Sequence, residues 1–249
     1  MNILIVGEMP LVEEVGGLCQ AAGHNINLFL VEDWLTAVSP SPMVEEAATA
    51  DVVIEIHDES ATAKAALLRQ LGKAVGEDVL ILTSALATST TEAASWVPGP
   101  GRVVGFGLLS PVGDSGLVEI AAGMRTEDKF VAQAEAFWAE LGHEAVRVGD
   151  SVGLVRARTV CCLINEATSA LMEGVASAAD IDKAMKLGTN YPHGPLEWAD
   201  MIGIDRVLGV MQGLYSTWGE DRYRPTPLLQ QMVMAGKLGK KSGEGFYDY

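Results

Sequence analysis

The sequence predicts an α/β protein with a doubly wound, largely parallel sheet over residues 1–150 and an all-helical domain over residues 151–249. Short apolar runs of strand type alternate with helically spaced apolar segments as far as Val148. Strands and helices in that alternation pack as a parallel sheet covered on both faces. From Leu154 onward helical spacing continues without a further strand pattern, which places the boundary between Asp150 and Gly153. The 249 residues are 49% hydrophobic and 20% charged, a folded composition with enough chain to bury a sizeable core.

Asn2 to Val6 (NILIV) reads as a strand ending at Gly7, and Leu11 to Ala22 has helical apolar spacing. A strand, a glycine and a helix are how a dinucleotide-binding domain begins. Its G-x-G-x-x-G pattern uses the second glycine to admit the pyrophosphate and the third for close helix–strand packing. Those two places hold Met9 and Val12, which leaves Gly7 as the one cofactor-side candidate in the turn. Glu8, Glu13 and Glu14 put negative charge beside a helix N-terminus that attracts anions. The next strand, Asn25 to Val31, should end in an acid for the ribose hydroxyls. Glu32 and Asp33 lie close by, with two surface loop acids as the plain alternative.

Ser39-Pro-Ser-Pro42 breaks the chain before a short helical piece, Met43 to Ala50. Asp51 to Ile56 is a strand, Ala61 to Val75 a helix and Val79 to Thr83 a strand. Strand Val103 to Leu109 leads to a turn at Ser110-Pro111, a Gly-rich bend and strand Leu117 to Ala121. Helix Glu127 to Leu141 and strand Glu144 to Val148 close the first domain. In the second, the apolar faces of Val207 to Tyr215 and Leu228 to Met234 suit buried or subunit-facing helices.

A formal net charge of −16 and a pI near 4.5 argue against nucleic acid and against an anionic membrane surface. A polyanionic ligand would need a local basic patch, for which Arg156, Arg158, Lys237, Lys240 and Lys241 are candidates; complementing helix ends is the simpler account. Three cysteines, two adjacent, make no disulfide framework, so a reducing cytoplasmic setting is expected. No apolar run reaches membrane-span length, and the N-terminus enters a strand pattern rather than a signal peptide. No Cys/His cluster has metal-ligand spacing, and no Ser/His/Asp arrangement is readable.

Four stretches carry a resemblance. They are VVGFGLLSPVGDSGLVE (Val103 to Glu119), VGLVRARTVCCLINEA (Val152 to Ala167), NYPHGPLEWADMIGID (Asn190 to Asp205) and the C-terminal block from Arg222 to Tyr249. Together they resemble the 3-hydroxyacyl-CoA dehydrogenase family, of the 3-hydroxybutyryl-CoA dehydrogenase-like kind, over essentially the whole chain and most weakly over the first fifty residues. The resemblance implies a Rossmann-type NAD-binding domain followed by a helical domain that forms the dimer contact. It also implies a His–Glu pair, the His removing the hydroxyl proton while hydride passes to nicotinamide and the Glu orienting the imidazole. Here the Glu is Glu119, the His position is Gly107, the neighbouring Asn position is Ser110, and the active-site Asn position is Ala157.

The pattern V-I-E-x-x-x-E-x-x-x-x-K is matched by Glu55, Glu59 and Lys64. By the resemblance Glu59 and Lys64 lie near the nicotinamide end; Lys64 otherwise starts the solvent face of its helix. Ser84 is the nearest polar candidate for contact with the substrate hydroxyl. The paired helices that help contact coenzyme A are shortened to about twenty residues, Glu32 to Ala50.

Two hypotheses follow. The first is a relative whose catalysis and NAD binding are weak or lost, serving as a homodimer or as the hetero-oligomeric partner of an active paralogue, with acyl-CoA a candidate ligand. The second is an oxidoreductase with a rearranged site that uses His57 and Glu119 on a smaller substrate. His57 follows a strand's C-terminal end, where such sheets bind ligands; otherwise it is a solvated loop histidine.

Overall fold

The computed structural model describes residues 1–32, 42–112 and 116–249. Asp33, most of the Ser39–Pro42 break and the centre of the Gly-rich bend lie outside the described residues. The chain divides into two compact units, Met1–Leu154 and Val155–Tyr249.

In the first unit the strands are β1 (Asn2–Gly7), β2 (Asn25–Leu30), β3 (Val52–Ile56), β4 (Leu80–Ser84), β5 (Val103–Gly107), β6 (Leu117–Ala122) and β7 (Glu144–Val148). Among the described residues they form one sheet in the order β2-β1-β3-β4-β5-β6-β7. Neighbours are parallel except β5 and β6, which run antiparallel. The chain leaves β1 for β2 on one side and returns to β3 on the other, so the strand order reverses between β1 and β3.

The strands alternate because both faces are covered. Ile3, Ile5, Val52, Ile54 and Ile56 face a layer holding α1 (Leu11–Ala21) and α5 (Asp128–Glu140), where Val15, Phe130, Phe137 and Trp138 are buried. Leu4, Val6, Val53 and Ile81 face the other layer, built by α2 (Pro42–Ala47), α3 (Ala61–Ala74) and α4 (Thr90–Ser95) through Met43, Leu67, Leu68, Leu71 and Ala93. Side-chain direction in a strand has period two, so an unbroken apolar strand requires apolar cover on both sides. Helix α4 gains its start from Asp150, whose carboxylate accepts from the Thr90 and Thr91 amides at 2.7 and 2.9 Å.

The second unit contains α6 (Arg156–Met172), α7 (Ala178–Thr189), α8 (Pro195–Ile202), α9 (Ile204–Trp218) and α10 (Pro227–Met234). Two buried aspartates tie it together. Asp182 accepts from the Leu196 and Glu197 amides at the start of α8, both at 2.8 Å, and from the Tyr247 hydroxyl at 2.7 Å. Asp200 accepts from the Phe246 and Tyr247 amides, both at 2.9 Å, and from the Tyr249 hydroxyl at 3.1 Å. Gly194 lies so close to Asp182, and Gly245 to Asp200, that a methyl at either position would overlap the carboxylate. Asn165 clamps the connection into α10, accepting from the Thr226 amide at 2.8 Å and donating to the Arg224 carbonyl at 3.1 Å. The long C-terminal resemblance therefore resides largely in residues that hold this unit's own fold.

Among the described residues no helix is long and apolar enough to cross a membrane, and no group of three or more His, Cys, Asp or Glu could hold a metal ion.

Candidate functional site

The candidate site of the first unit lies at the carboxyl ends of its parallel strands, where loops leave the sheet and folds of this kind bind ligands. The antiparallel pairing of β5 and β6 sets Gly107 directly opposite Glu119. A Cβ built on Gly107 would lie 3.4 Å from Glu119 Oε2, 3.0 Å from Leu154 Cδ1 and 3.6 Å from Leu86 Cδ2. A side chain at 107 would thus meet the Glu119 carboxylate at once, between two leucines. Glu119 itself is 4% exposed. Ser110, at the position where the resemblance has Asn, is buried, and its hydroxyl has no partner among the described residues.

His57 is 3% exposed, not a solvated loop histidine. Its Nδ1 meets Glu8 Oε1, from the turn after β1. Glu119 lies three strands away across the sheet, roughly 14 Å at a strand spacing of about 4.8 Å. The structure therefore pairs His57 with Glu8 and brings it into no direct contact with Glu119. Burial pulls the imidazole pKa down, but the hydrogen bond and charge of Glu8, with the charge of Glu55, outweigh this and Lys64's opposing charge, lifting it above the ordinary histidine value.

Lys64 does not begin a solvent face; it is 1% exposed. Its Nζ donates to Glu55 Oε2 at 2.7 Å and to the His57 carbonyl at 2.8 Å. Glu55 is fully buried and also accepts from Thr83 Oγ1 at 2.5 Å and from the His57 amide at 2.7 Å. Burial raises the Glu55 pKa, with Lys64 and Thr83 pulling the other way. The pair thus grips His57 by both its amide and its carbonyl. Ser84 at the end of β4 is also buried, its hydroxyl 2.9 and 2.7 Å from the two oxygens of Asp58. Glu59 is exposed in the loop before α3, and Glu32 is exposed beyond β2.

Sequence reading missed the Glu8–His57, Glu55–Lys64 and Asp58–Ser84 pairings. One signal was present: a glutamate inside the apolar run Val52–Ile56 has to be matched by a cation or by several donors. The other histidines lie against aromatic rings. His24 stacks on Phe137 with ring centroids 6.2 Å apart. His143 lies against Trp138. In the second unit, His193 lies near Trp198 and has its Nδ1 3.8 Å from Glu197 Oε1. Ala157 is buried in α6.

The β1–α1 turn carries side chains at two of the three glycine positions of a dinucleotide fingerprint. Gly7 is needed by the sheet, because a methyl there would overlap the Ile56 carbonyl. Met9 places a side chain at the second glycine position, and Val12, at the third, is buried in the core under α1. Helix α1 carries Glu13 and Glu14 in its first turn, and no side chain caps its N-terminus. Glu14 accepts from the Val112 amide at 3.0 Å.

Residues 20–151 match the NAD binding domain of 3-hydroxyacyl-CoA dehydrogenase, and residues 153–249 match the C-terminal domain of the same family. The first match begins beyond the Gly7 turn and most of α1. A probable 3-hydroxybutyryl-CoA dehydrogenase of Bacillus subtilis is 40% identical over 219 residues, covering 88% of this chain and 76% of that protein. A 3-hydroxybutyryl-CoA dehydrogenase of Clostridioides difficile is 37% identical over 215 residues, covering 86% and 76%. The crystal structure of an (S)-3-hydroxybutyryl-CoA dehydrogenase from Ralstonia eutropha superposes with a TM-score of 0.80 at 33% identity, covering 100% of this chain and 98% of that one. With both of its domains matched in order along nearly its whole length, the chain belongs to the 3-hydroxyacyl-CoA dehydrogenase family.

Proposed function

We propose that this chain is a family member with impaired or absent dehydrogenase turnover that acts as an assembly subunit, either as a homodimer or beside an active paralogue through its helical domain. The observation that carries the reading is Gly107 in register with Glu119. The resemblance implies a base at that position, and glycine has no group to accept a proton. A carboxylate is a weak base for an alcohol, and general base catalysis is worth about 10²- to 10⁴-fold. The β1–α1 turn supports weak nicotinamide binding in addition, because Met9 and Val12 replace two fingerprint glycines and Glu13 and Glu14 bring negative charge to the first turn of α1.

The test is an assay of the purified chain with a 3-hydroxyacyl-CoA and NAD beside a relative that keeps the His–Glu pair. A rate at least about 100-fold below the relative's is expected. A rate within tenfold of it would overturn the reading. Light scattering after size exclusion tests the assembly half: a dimer, or a complex with a co-expressed paralogue, supports it, and a monomer under both conditions removes it.

A further inference from the structure

Nucleotides bind doubly wound sheets in the crevice beyond the carboxyl ends of the strands, at the point where the strand order reverses. Here that point lies between β1 and β3. Glu8 is the residue immediately after β1, and His57 is the residue immediately after β3. Their side chains meet across the crevice, 11% and 4% exposed.

We propose that Glu8 and His57 form a latch over the β1/β3 crevice and are the residues that set nucleotide affinity in this chain, their joined side chains standing where the diphosphate of a nicotinamide dinucleotide would lie. This rests on the reading that nicotinamide binding is weak. It adds which contact makes it weak.

The latch is held from behind. The His57 amide donates to Glu55 Oε1 at 2.7 Å, and the His57 carbonyl accepts from Lys64 Nζ at 2.8 Å. The Glu8 amide donates to the Ile56 carbonyl at 3.2 Å, tying the turn after β1 to the end of β3. Both backbones are fixed, so the imidazole and carboxylate confront each other without a conformational search. The charged groups bearing on the ring are Glu8 from the β1–α1 turn, Glu55 from β3 and Lys64 from α3. Asp58, next in the chain, is engaged with Ser84.

A diphosphate entering the crevice would have to displace Glu8 from His57 and leave a carboxylate facing the phosphates, with Glu13 and Glu14 behind it. Like charges repel strongly in a partly desolvated crevice. His57 also has its Nε2 buried without a partner among the described residues.

The experiment is a titration of the full chain with NADH, followed by calorimetry, for the native protein, Glu8→Gln and the double variant Glu8→Ala/His57→Ala. Thermal melts establish that each is folded. Glu8→Gln keeps the shape of the side chain and so guards against a double variant that does not fold. Weak binding by the native chain, tightened at least tenfold in a folded variant, is the expected result. Weak binding by the native chain with equally weak binding by the folded variants would overturn the latch and leave the weak-binding reading standing. Micromolar binding by the native chain would overturn both. As an independent readout, the His57 imidazole should titrate at lower pH in Glu8→Gln; an unchanged titration would show that the contact does not exist and would overturn the latch by itself.

Discussion

Replacing Lys64 by methionine removes the cation of a buried pair while keeping the aliphatic stem. Glu55 is then left fully buried, with the Thr83 hydroxyl and the His57 amide as its remaining donors. Breaking a buried pair from one side costs about 3–5 kcal/mol, because the surviving charge is uncompensated. Two retained donors put this case near the lower end. About 3 kcal/mol corresponds to a fall of roughly 6–12 °C in melting temperature for a unit of this size. The pH dependence has a definite sign. Burial already raises the Glu55 pKa above its ordinary 4.5, with Lys64 opposing, and the substitution removes that opposition. A carboxyl whose folded pKa exceeds its unfolded value contributes stability that is full below the unfolded pKa and is lost as pH rises through the folded one. The gap between native protein and variant should therefore be smallest under acid and widen toward neutral pH. Urea unfolding across pH 4–8, completed by Glu55→Gln and the double variant, measures both the penalty and the coupling. A Lys64→Met protein within about 0.5 kcal/mol of the native one at all pH values, as for an ordinary surface change, would refute the buried pair and restore Lys64 to a solvent face.

Two further expectations concern parts of the fold away from the crevice. Gly245→Ala drives a methyl into the Asp200 carboxylate and should destabilise the helical unit by about 1–3 kcal/mol, read by urea unfolding; a neutral result would mean the C-terminal segment is not seated on Asp200. Arg102 is 4% exposed and donates to the carbonyls of Gly72 at 2.7 Å and Pro98 at 3.0 Å, and also to Gly76. Arg102→Met should therefore lower stability by about 1–3 kcal/mol through carbonyls left without donors, and an unchanged denaturation midpoint would contradict that role.

Much of the fold was legible because its signals are local. The runs NILIV and DVVIEI declare strands by composition, and the loss of strand pattern after Val148 marks where the sheet ends. Gly107 and Glu119 could be singled out through the resemblance, in which they hold the positions of the His–Glu pair. Their apposition was a consequence of one antiparallel step in an otherwise parallel sheet. Lys64 was harder to place, because its spacing in α3 suits either a solvent face or an inward one. Only the position of Glu55 beneath it, nine residues earlier on a central strand, decides the matter.

The sequence by itself determined that this chain is a doubly wound α/β unit followed by a helical one, that its glycine fingerprint is reduced to Gly7, and that position 107 carries no side chain. These are properties of residue type and short-range period, which the chain carries wherever it folds. Tertiary structure alone decided that His57 faces Glu8 and not Glu119, that Asp58 engages Ser84, and that Asp182 and Asp200 hold the C-terminal segment. Each joins groups whose separation along the chain says nothing of their distance in space. Strand order and the burial of unmatched charge bring them together: a carboxylate or imidazole enclosed by the fold is stable there only beside a partner.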